Sequence, residues 1–293
     1  MTMPHTLHDI QSCKDFDMSV IYNDIKNLCD FDGLTNPKKF CGNRTIYKYQ
    51  FRNIIKCKRQ KWYSLEYIMN DEKLRNQLWS ETLIRNRTKK GDKSTPTDVF
   101  EVWRINHGAI VCFKASTSKY IYKLFNATSV LDPTAGWGGR MLGAMSLGIK
   151  YTGIDTNINL KEGYDKMIKD IVGVGVNRPE YKMIWKSCLE VDYSQLDYDL
   201  VLTSPPYINM ELYENMTPFK NNQIFYREFL IPMMNNCYQY LKKGGHMCIN
   251  ISPKMFKDLI IYGYREPDCQ IDLRQMGKNY ATKSQDYIYV WNK

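Results

Sequence analysis

Five consecutive residues, Thr203-Ser204-Pro205-Pro206-Tyr207, have the composition of a stiff pocket for a planar amine. They directly follow the apolar run Asp199-Leu200-Val201-Leu202. The two prolines fix φ and lack N–H donors, so the backbone carbonyls and the Ser204 hydroxyl can be directed at one target. The Tyr207 ring can stack on another planar ring. This combination suits chemistry on the exocyclic amine of a nucleobase.

A glycine-rich loop follows an earlier apolar run. After Val130-Leu131 come Asp132-Pro133-Thr134-Ala135-Gly136-Trp137-Gly138-Gly139, and a helix is predicted over 140–147. The three glycines allow a tight turn and a close approach of the backbone to a ligand. No Gly-Lys-Ser/Thr follows, so this is not a Walker loop, and the GxGxxG spacing of dinucleotide binders is also absent.

Asp155 ends the next apolar run, about 20 residues after the glycine loop, where an acidic residue can bind a ribose diol. The alternative role for Asp155 is a helix cap before residues 157–160. Together with the glycine loop, Asp155 predicts a ligand that carries a ribose but need not carry a pyrophosphate.

The elements that must position these residues alternate between short β-rich runs and longer amphipathic segments. The runs are Ser129–Leu131, Tyr151–Ile154, Met183–Trp185, Leu200–Leu202, Met247–Ile251 and Tyr287–Trp291. Most intervals are long enough for a crossover helix, which predicts an α/β fold with a parallel, doubly wound sheet. In such a sheet ligands bind at the carboxyl ends of the strands, so the three motifs should meet there.

The charge of the chain is strongly basic and unevenly distributed. The 293 residues carry a net charge of +10, and no acidic residue lies between Gly33 and Leu65. Basic residues are interleaved there with Tyr47, Tyr49, Phe51, Trp62 and Tyr63, which favours a nucleic-acid partner over a merely solvated lysine-rich face. The predicted nucleic-acid contacts are Arg52, Lys56, Lys58, Arg59, Lys61, Arg85 and Arg87.

The remaining composition excludes several classes of protein. The nine cysteines include no CxxC pair and no Cys/His spacing suited to zinc, so no metal site is predicted. No signal peptide and no apolar run of membrane-spanning length is found, so an intracellular protein without membrane contact is expected. The sequence leaves the oligomeric state open, a homodimer included.

A polar segment with glycine and proline, residues 89–97, is the best candidate for a boundary. It divides a basic, mainly helical N-terminal region, residues 1–95, from a catalytic domain, residues 96–293. The pattern over Leu65–Asn86 is helical. We expect the N-terminal region to recognise the nucleic acid.

The glycine loop, Asp155 and the tetrapeptide Ser204–Tyr207 resemble the first, second and fourth motifs of amino-methyltransferases. These enzymes use S-adenosyl-L-methionine to methylate the exocyclic nitrogen of adenine or cytosine in DNA. The resemblance covers roughly residues 113–291. It implies a mostly parallel, seven-stranded Rossmann-like methyltransferase sheet, S-adenosyl-L-methionine as cofactor and duplex DNA from which one base is flipped.

The resemblance also implies a role for each matched residue. The segment with Phe113, Lys114 and Ser116 would close over the methionine end of the cofactor. Asp155 would bind the ribose hydroxyls. Ser204, Pro205, Pro206 and Tyr207 would position the amine and stack its base. The other implied cofactor contacts are Asp132, Ala135, Gly136, Gly138, Ser187 and Thr203.

The third motif departs from the family pattern. Ser187 stands where an acidic residue usually lies near the adenine ring, and Glu190 or Asp192 could replace it. The segment Tyr207–Tyr213 resembles uncharacterised phage-type or virus-type DNA methylases, which also carry Glu and Tyr after the tetrapeptide.

Ser at the first tetrapeptide position is typical of N4-cytosine enzymes, whereas Asp or Asn is typical of N6-adenine enzymes. Ser204 therefore favours cytosine. Two alternatives stay open: an RNA or tRNA base methyltransferase, and a catalytically silent nucleic-acid-binding partner.

Overall fold

The chain folds into a seven-stranded sheet with helices on both sides. The computed structural model describes residues 2–34, 41–59, 62–86, 93–108, 110–172, 180–208, 211–212 (backbone), 218–273 and 286–293. The helices in these ranges are α1 (Leu7–Ser12), α2 (Met18–Asp30), α3 (Asn43–Ile54), α4 (Leu65–Asn70), α5 (Glu72–Asn86), α6 (Pro96–Asn106), α7 (Ala115–Leu124), α8 (Gly139–Met145), α9 (Lys161–Val172), α10 (Asn222–Ile224), α11 (Ile231–Tyr240) and α12 (Pro253–Ile261). A π-helical segment, Phe225–Leu230, joins α10 to α11.

The described strands are β1 (Lys58–Arg59), β2 (Ser129–Asp132), β3 (Lys150–Asp155), β4 (Tyr181–Trp185), β5 (Leu200–Thr203), β6 (Glu211–Leu212), β7 (His246–Ile251), β8 (Cys269–Leu273) and β9 (Asp286–Asn292). The large sheet has the order β4-β3-β2-β5-β7-β9-β8. Strands β4, β3, β2, β5 and β7 are parallel, and β9 is antiparallel to both β7 and β8. This confirms the predicted doubly wound, mostly parallel sheet of seven strands.

The order of strands has its reversal point between β2 and β5. The chain runs outward from β2 through β3 to β4, then returns to the other side of β2 as β5. In an open sheet this is where a ligand crevice forms. The glycine loop and the tetrapeptide therefore follow the two strands that flank the crevice.

Successive side chains of β5 pack on opposite faces of the sheet. Leu200 and Leu202 belong to the core cluster beneath α7, α8 and α9, whereas Val201 belongs to the cluster beneath α11 and α12. A strand buried on both sides reads as an unbroken apolar run, which is why the periodicity of 199–202 is not alternating.

The helices of residues 1–95 share the first of these cores. Phe51 of α3 makes an edge-to-face contact with Phe100 of α6, with ring centroids 4.8 Å apart. Trp79 of α5 is buried in the same cluster as Trp103 and Met141. The N-terminal region is packed onto one face of the sheet, and the boundary near residue 95 stays a prediction.

The polar segment before α6 is a helix start. Thr95 and Asp98 form a capping box, and Pro96 is the first residue of α6. The helical pattern over Leu65–Asn86 is split in two, because the Asp71 carboxylate accepts a hydrogen bond from the Leu74 N–H and starts α5.

Two further details differ from the sequence prediction. Strand β8, which completes the edge of the sheet, has no counterpart among the six predicted runs. The short antiparallel pair β1–β6 joins Lys58 and Arg59 to Leu212 and Glu211. Within the residues that the structure describes, no helix is both long and apolar enough to cross a membrane.

Candidate active site

Three motifs meet at one edge of the sheet. Strands β3, β2 and β5 are neighbours and parallel, so their carboxyl ends lie side by side. Asp155 ends β3, the glycine loop follows β2, and the tetrapeptide follows β5. The topology brings together residues that are more than 70 positions apart in the chain.

The glycine loop has a backbone that needs glycine. Gly136 has φ +59° and Gly138 has φ +91°, a left-handed region that other residues rarely adopt. A Cβ on Gly139 would overlap with the Phe113 carbonyl, so the segment before α7 lies directly against the loop. Beside Gly136, by contrast, a Cβ would meet nothing closer than 3.9 Å. The Phe113 backbone therefore covers the loop at Gly139, whereas the space beside Gly136 is open.

Asp155 holds the open side of the loop. Its carboxylate accepts hydrogen bonds from the Gly136 N–H at 2.8 Å and from the Asn157 N–H at 2.9 Å. Burial raises the pKa of Asp155 above the usual value, and the two backbone donors offset part of that rise. Asn157, not Asp155, caps the short 3₁₀ turn Ile158–Leu160. Because a carboxylate has about four lone-pair sites, Asp155 can accept further donors.

Asp132 lies at the centre of a buried hydrogen-bond network. It is fully buried, and its carboxylate accepts hydrogen bonds from Arg140 Nε at 2.6 Å, the Tyr151 hydroxyl at 2.7 Å and the Thr203 hydroxyl at 2.9 Å. Asp132 already accepts three donors inside the core, so the direct contact with a cofactor that the resemblance implies stays a prediction. The geometry favours a role in holding the ends of β2, β3 and β5 together.

Arg140 joins this network to the glycine loop. Its guanidinium also donates to the Thr134 carbonyl and lies 5.1 Å from the centre of the Phe113 ring. Burial acts to lower the pKa of Arg140, but the adjacent Asp132 outweighs burial and raises it. The guanidinium therefore stays charged, and it fixes both the loop and the Phe113 segment.

A second set of hydrogen bonds connects the loop to the tetrapeptide. The Thr134 and Thr203 hydroxyls are 2.6 Å apart, and Thr134 Oγ1 also donates to the Ser204 carbonyl at 3.2 Å. Thr203 is fully buried, so it supports the tetrapeptide from within the protein core. The start of the tetrapeptide is thereby set against the start of the glycine loop.

Three of the four residues of the tetrapeptide are partly accessible. Pro205 is buried, whereas Ser204, Pro206 and Tyr207 are half-buried. Tyr207 packs, with Ile208 and Phe219, against the core cluster that contains Phe225 and Tyr226 of the π-helical segment. Residues 209–210 and 213–217 of the loop that follows lie outside the described residues.

The segment before α7 borders the loop through Phe113. Lys114 is half-buried, and burial lowers the pKa of its amine. Ser116 is fully buried within α7, where its side chain hydrogen-bonds with the Cys41 thiol. The contact of Ser116 with a cofactor stays a prediction.

Ser187 starts a 3₁₀ turn beyond β4. Its hydroxyl accepts a hydrogen bond from the Leu189 N–H at 3.3 Å. Asp192 is similarly occupied, because it accepts from the Ser194 N–H at 3.0 Å. Glu190 is exposed. The adenine-side contact predicted for this stretch stays a prediction.

Helix α3 supports the turn after Asp155. The buried Gln50 donates to the Leu160 carbonyl at 3.1 Å, and Asn53 donates to the Asn159 carbonyl at 3.2 Å. A Cβ on Gly163 would lie 2.5 Å from the Tyr49 carbonyl, so α3 and α9 are in close contact. The N-terminal region thus packs against the turn that follows Asp155.

The predicted nucleic-acid contacts have different environments. Arg52, Lys58 and Arg85 are exposed, and Lys56 and Arg59 are half-buried. Lys61 and Arg87 lie outside the described residues. Of the aromatics interleaved with this basic segment, Phe51 is buried and Tyr47 and Tyr49 pack against the core, so they do not offer free stacking faces.

Sequence reasoning missed four supporting residues: Thr134, Arg140, Tyr151 and Tyr164. One signal was available. Tyr151 lies four positions before Asp155 and so faces the same side of β3. The Tyr164 hydroxyl donates to the Gly136 carbonyl at 2.9 Å from α9, a contact that no local pattern predicts.

A comparison with known protein families finds a match for the C-terminal part of the chain. Residues 198–292 match the family model of N6/N4 methyltransferases, described as DNA methylase. This confirms the predicted resemblance over that segment, and the predicted cofactor, S-adenosyl-L-methionine, agrees with the family. No curated protein sequence matches the chain.

Several solved structures are similar to part of the chain at low identity. TrmN from Thermus thermophilus is 13% identical over 62% of this chain, with a TM-score of 0.44. TehB from Haemophilus influenzae is 14% identical over 66%, with a TM-score of 0.39. An RNA methyltransferase from Salinibacter ruber, bound to S-adenosyl-L-homocysteine, is 14% identical over 62%, with a TM-score of 0.40. The match spans 49% of TrmN, 66% of TehB and 92% of the Salinibacter protein.

Proposed function

We propose that this chain, with its amino-methyltransferase signature at residues 198–292, transfers a methyl group from S-adenosyl-L-methionine to the exocyclic amine of a flipped DNA base. The observation that supports this most directly is the hydrogen bond from Thr134 to the Ser204 carbonyl. It sets the tetrapeptide beside the glycine loop, so a base and a cofactor would be held by adjoining loops.

The residues present fit the cofactor. The space beside Gly136 is open, and the Asp155 carboxylate lies at its border. Asp155 would accept the ribose hydroxyls, and the loop backbone at Ala135, Gly136 and Gly138 would face the amino-acid part. When bound, S-adenosyl-L-methionine supplies an electrophilic methyl group on a sulfonium.

The tetrapeptide would make the amine reactive. The lone pair of an aromatic amine is delocalised into the ring, which makes the nitrogen a poor nucleophile. The Ser204 hydroxyl and the Pro205 carbonyl would accept its two N–H groups and draw the nitrogen toward sp³ geometry. Tyr207 would stack on the extruded base and align it for in-line transfer. No cysteine intermediate is needed.

Cytosine N4 is the favoured target, because Ser204 occupies the first position of the tetrapeptide. Adenine N6 is the competing target. The test is expression of the protein in a host that lacks this methylation, followed by sequencing that reports N4-methylcytosine and N6-methyladenine together. N4-methylcytosine in a recurring sequence is the expected result, with Ser204→Ala as the negative control.

The two alternative functions are separated by direct assays. Methyl transfer to structured RNA but not to duplex DNA would establish the RNA methyltransferase. Calorimetry without detectable binding of S-adenosyl-L-methionine would establish the catalytically silent partner.

Asp155→Ala is expected to weaken S-adenosyl-L-homocysteine binding by about 1–3 kcal/mol, because the ribose hydroxyls lose a buried acceptor. Isothermal titration calorimetry measures this change. The matched control is Asp165→Ala, which removes an exposed carboxylate paired with Lys161 on α9. An equal effect of both variants would exclude Asp155 as the ribose ligand.

Duplex binding is proposed to involve Arg52, Lys56, Lys58, Arg59, Lys61, Arg85 and Arg87. We expect Lys56→Gln, Lys58→Gln and Arg59→Gln, combined, to lower the affinity and to reduce the slope of log K against log salt concentration by about 1 for each lost phosphate contact. Fluorescence anisotropy at several salt concentrations measures both quantities.

The matched control removes three exposed lysines at the amino ends of the strands: Lys150, the first residue of β3, and Lys242 and Lys243, which precede β7. This control changes the net charge by the same amount as the test variant. If the control lowered the salt slope as much as the test variant, the basic segment would contribute net charge only.

A further inference from the structure

An exposed aromatic cluster lies directly after β1. Trp62, Tyr63 and Tyr67 are 40%, 48% and 53% exposed. The Tyr63 and Tyr67 rings are stacked on each other, with centroids 4.8 Å apart and planes 14° apart. We call these three residues the aromatic face. Large apolar side chains exposed together indicate a binding surface.

The aromatic face is held in place by the fold. The Trp103 indole donates to the Tyr63 carbonyl at 3.3 Å, and the Trp62 N–H donates to the Arg59 carbonyl at 2.8 Å. Ser64 caps α4 by accepting from the Tyr67 N–H at 3.2 Å. The rings are therefore presented on a fixed backbone, which reduces the entropy that a ligand must overcome on binding.

Pairing of β1 with β6 limits how far the strand before the aromatic face lies from the candidate active site. Glu211 is four positions after Tyr207, which limits their Cα distance to about 14 Å. Arg59 pairs with Glu211 across the ribbon, at about 5 Å. The Arg59 Cα therefore lies within about 20 Å of the Tyr207 Cα, the length of about six base pairs.

The charge on the N-terminal side of the aromatic face is complementary to a polyanion. Lys56, Lys58 and Arg59 precede it, and the sequence holds no acidic residue between Gly33 and Leu65, whereas Glu66 lies beside Tyr67. A basic strand beside exposed rings is the pairing that single-stranded nucleic acid uses, with phosphates on the cations and bases on the rings. A paired duplex keeps its bases stacked on one another and cannot use the rings in this way.

We infer that Trp62, Tyr63 and Tyr67 stack on unpaired nucleotides of the substrate strand, close to the base that enters the tetrapeptide pocket. The inference rests on the proposed function, since the strand bound here is the one that carries the target base. It assigns the rings to the strand that is locally opened at the target site, while the basic residues proposed above bind the phosphates of the duplex.

The test compares two fluorescein-labelled 20-nucleotide probes, a single strand and the fully paired duplex of the same sequence, by anisotropy with the full chain. Tyr63→Ala with Tyr67→Ala is expected to weaken single-strand binding about tenfold or more, with little change for the duplex. Tyr63→Phe with Tyr67→Phe keeps both rings and should bind the single strand normally. The salt slope should not change, because no cation is removed.

The matched control is Tyr22→Ala with Tyr240→Ala, which removes two tyrosines of similar exposure, 43% and 41%, from α2 and α11. Equal loss in control and test variants, equal loss for both probes, or no loss would each overturn the inference. So would a wild-type dimer that the test variant dissociates in sedimentation velocity, because a second copy would then cover the rings. Near-ultraviolet circular dichroism verifies that each variant is folded.

Methyl transfer by the wild type, measured beside the binding experiment, separates this inference from the proposed function. Unchanged single-strand binding with intact methyl transfer by the wild type overturns the aromatic face alone. Ring-dependent binding without any methyl transfer by the wild type supports the aromatic face and overturns the proposed function.

Discussion

Ser204→Ala is expected to reduce the rate of methyl transfer by about 10²–10³-fold while leaving cofactor affinity within a few-fold. The hydroxyl would accept a proton of the reacting amine, and loss of one such directed hydrogen bond in an active site has an effect of this size. Cofactor affinity should persist because Thr134 bonds to the Ser204 carbonyl, which alanine retains. Transfer of a radioactive methyl group measures the rate, and calorimetry with S-adenosyl-L-homocysteine measures the affinity.

Tyr207 provides a second test of the same pocket. Tyr207→Ala should abolish transfer, whereas Tyr207→Phe keeps the ring and should retain most of it. Ser80→Ala is a suitable control for Ser204→Ala, because Ser80 is an exposed serine of α5 that donates to the Asn76 carbonyl. Full activity of Tyr207→Ala would contradict the flipped-base model, since the base would have no stacking partner.

Arg140→Met is expected to lower the free energy of unfolding by about 3–5 kcal/mol, because it leaves the Asp132 carboxylate buried without its cation. The Asp132 carboxylate is fully buried and the Arg140 side chain is 4% exposed, so water cannot replace the lost contact. Methionine preserves much of the side-chain volume, which limits the effect of packing. Urea denaturation measures the change.

The double variant Asp132→Asn, Arg140→Met separates charge from packing. It removes both charges and should recover part of the lost stability, because no unpaired ion remains in the core. Lys242→Met breaks an exposed pair with Asp197 and should change stability little. If the double variant were no more stable than Arg140→Met, the pair would stabilise the fold through packing and not through charge.

The sequence predicted the parts of the candidate site that depend on local patterns. Strand ends are marked by apolar runs that stop at Asp132, Asp155 and Thr203, and each boundary agrees with the structure. The left-handed turns at Gly136 and Gly138 require glycine whatever surrounds them. The doubly wound sheet follows from the same runs and the length of the intervals between them.

The supporting network could not be predicted in this way. Arg140 reads as an ordinary residue at the start of a helix, and only the packing of α8 beneath β2 brings it to Asp132. Gln50 lies 110 positions before Leu160, and nothing near it in the sequence suggests a contact with the turn after Asp155. Strand β8 was missed because its segment, Cys269–Leu273, is short and alternates apolar with polar residues, unlike the mostly apolar runs from which the other strands were predicted.

The sequence alone thus determined the type of sheet, the glycine loop, the acidic end of β3 and the tetrapeptide, since each depends on residue types within a few positions. The tertiary structure decided that Asp132 is paired with Arg140, that α3 packs against the turn after Asp155 and that β1 joins β6. It also decided which aromatics of the basic segment are exposed. These features arise from contacts between residues distant in the chain, and such contacts are set by how the faces of helices and sheet pack together.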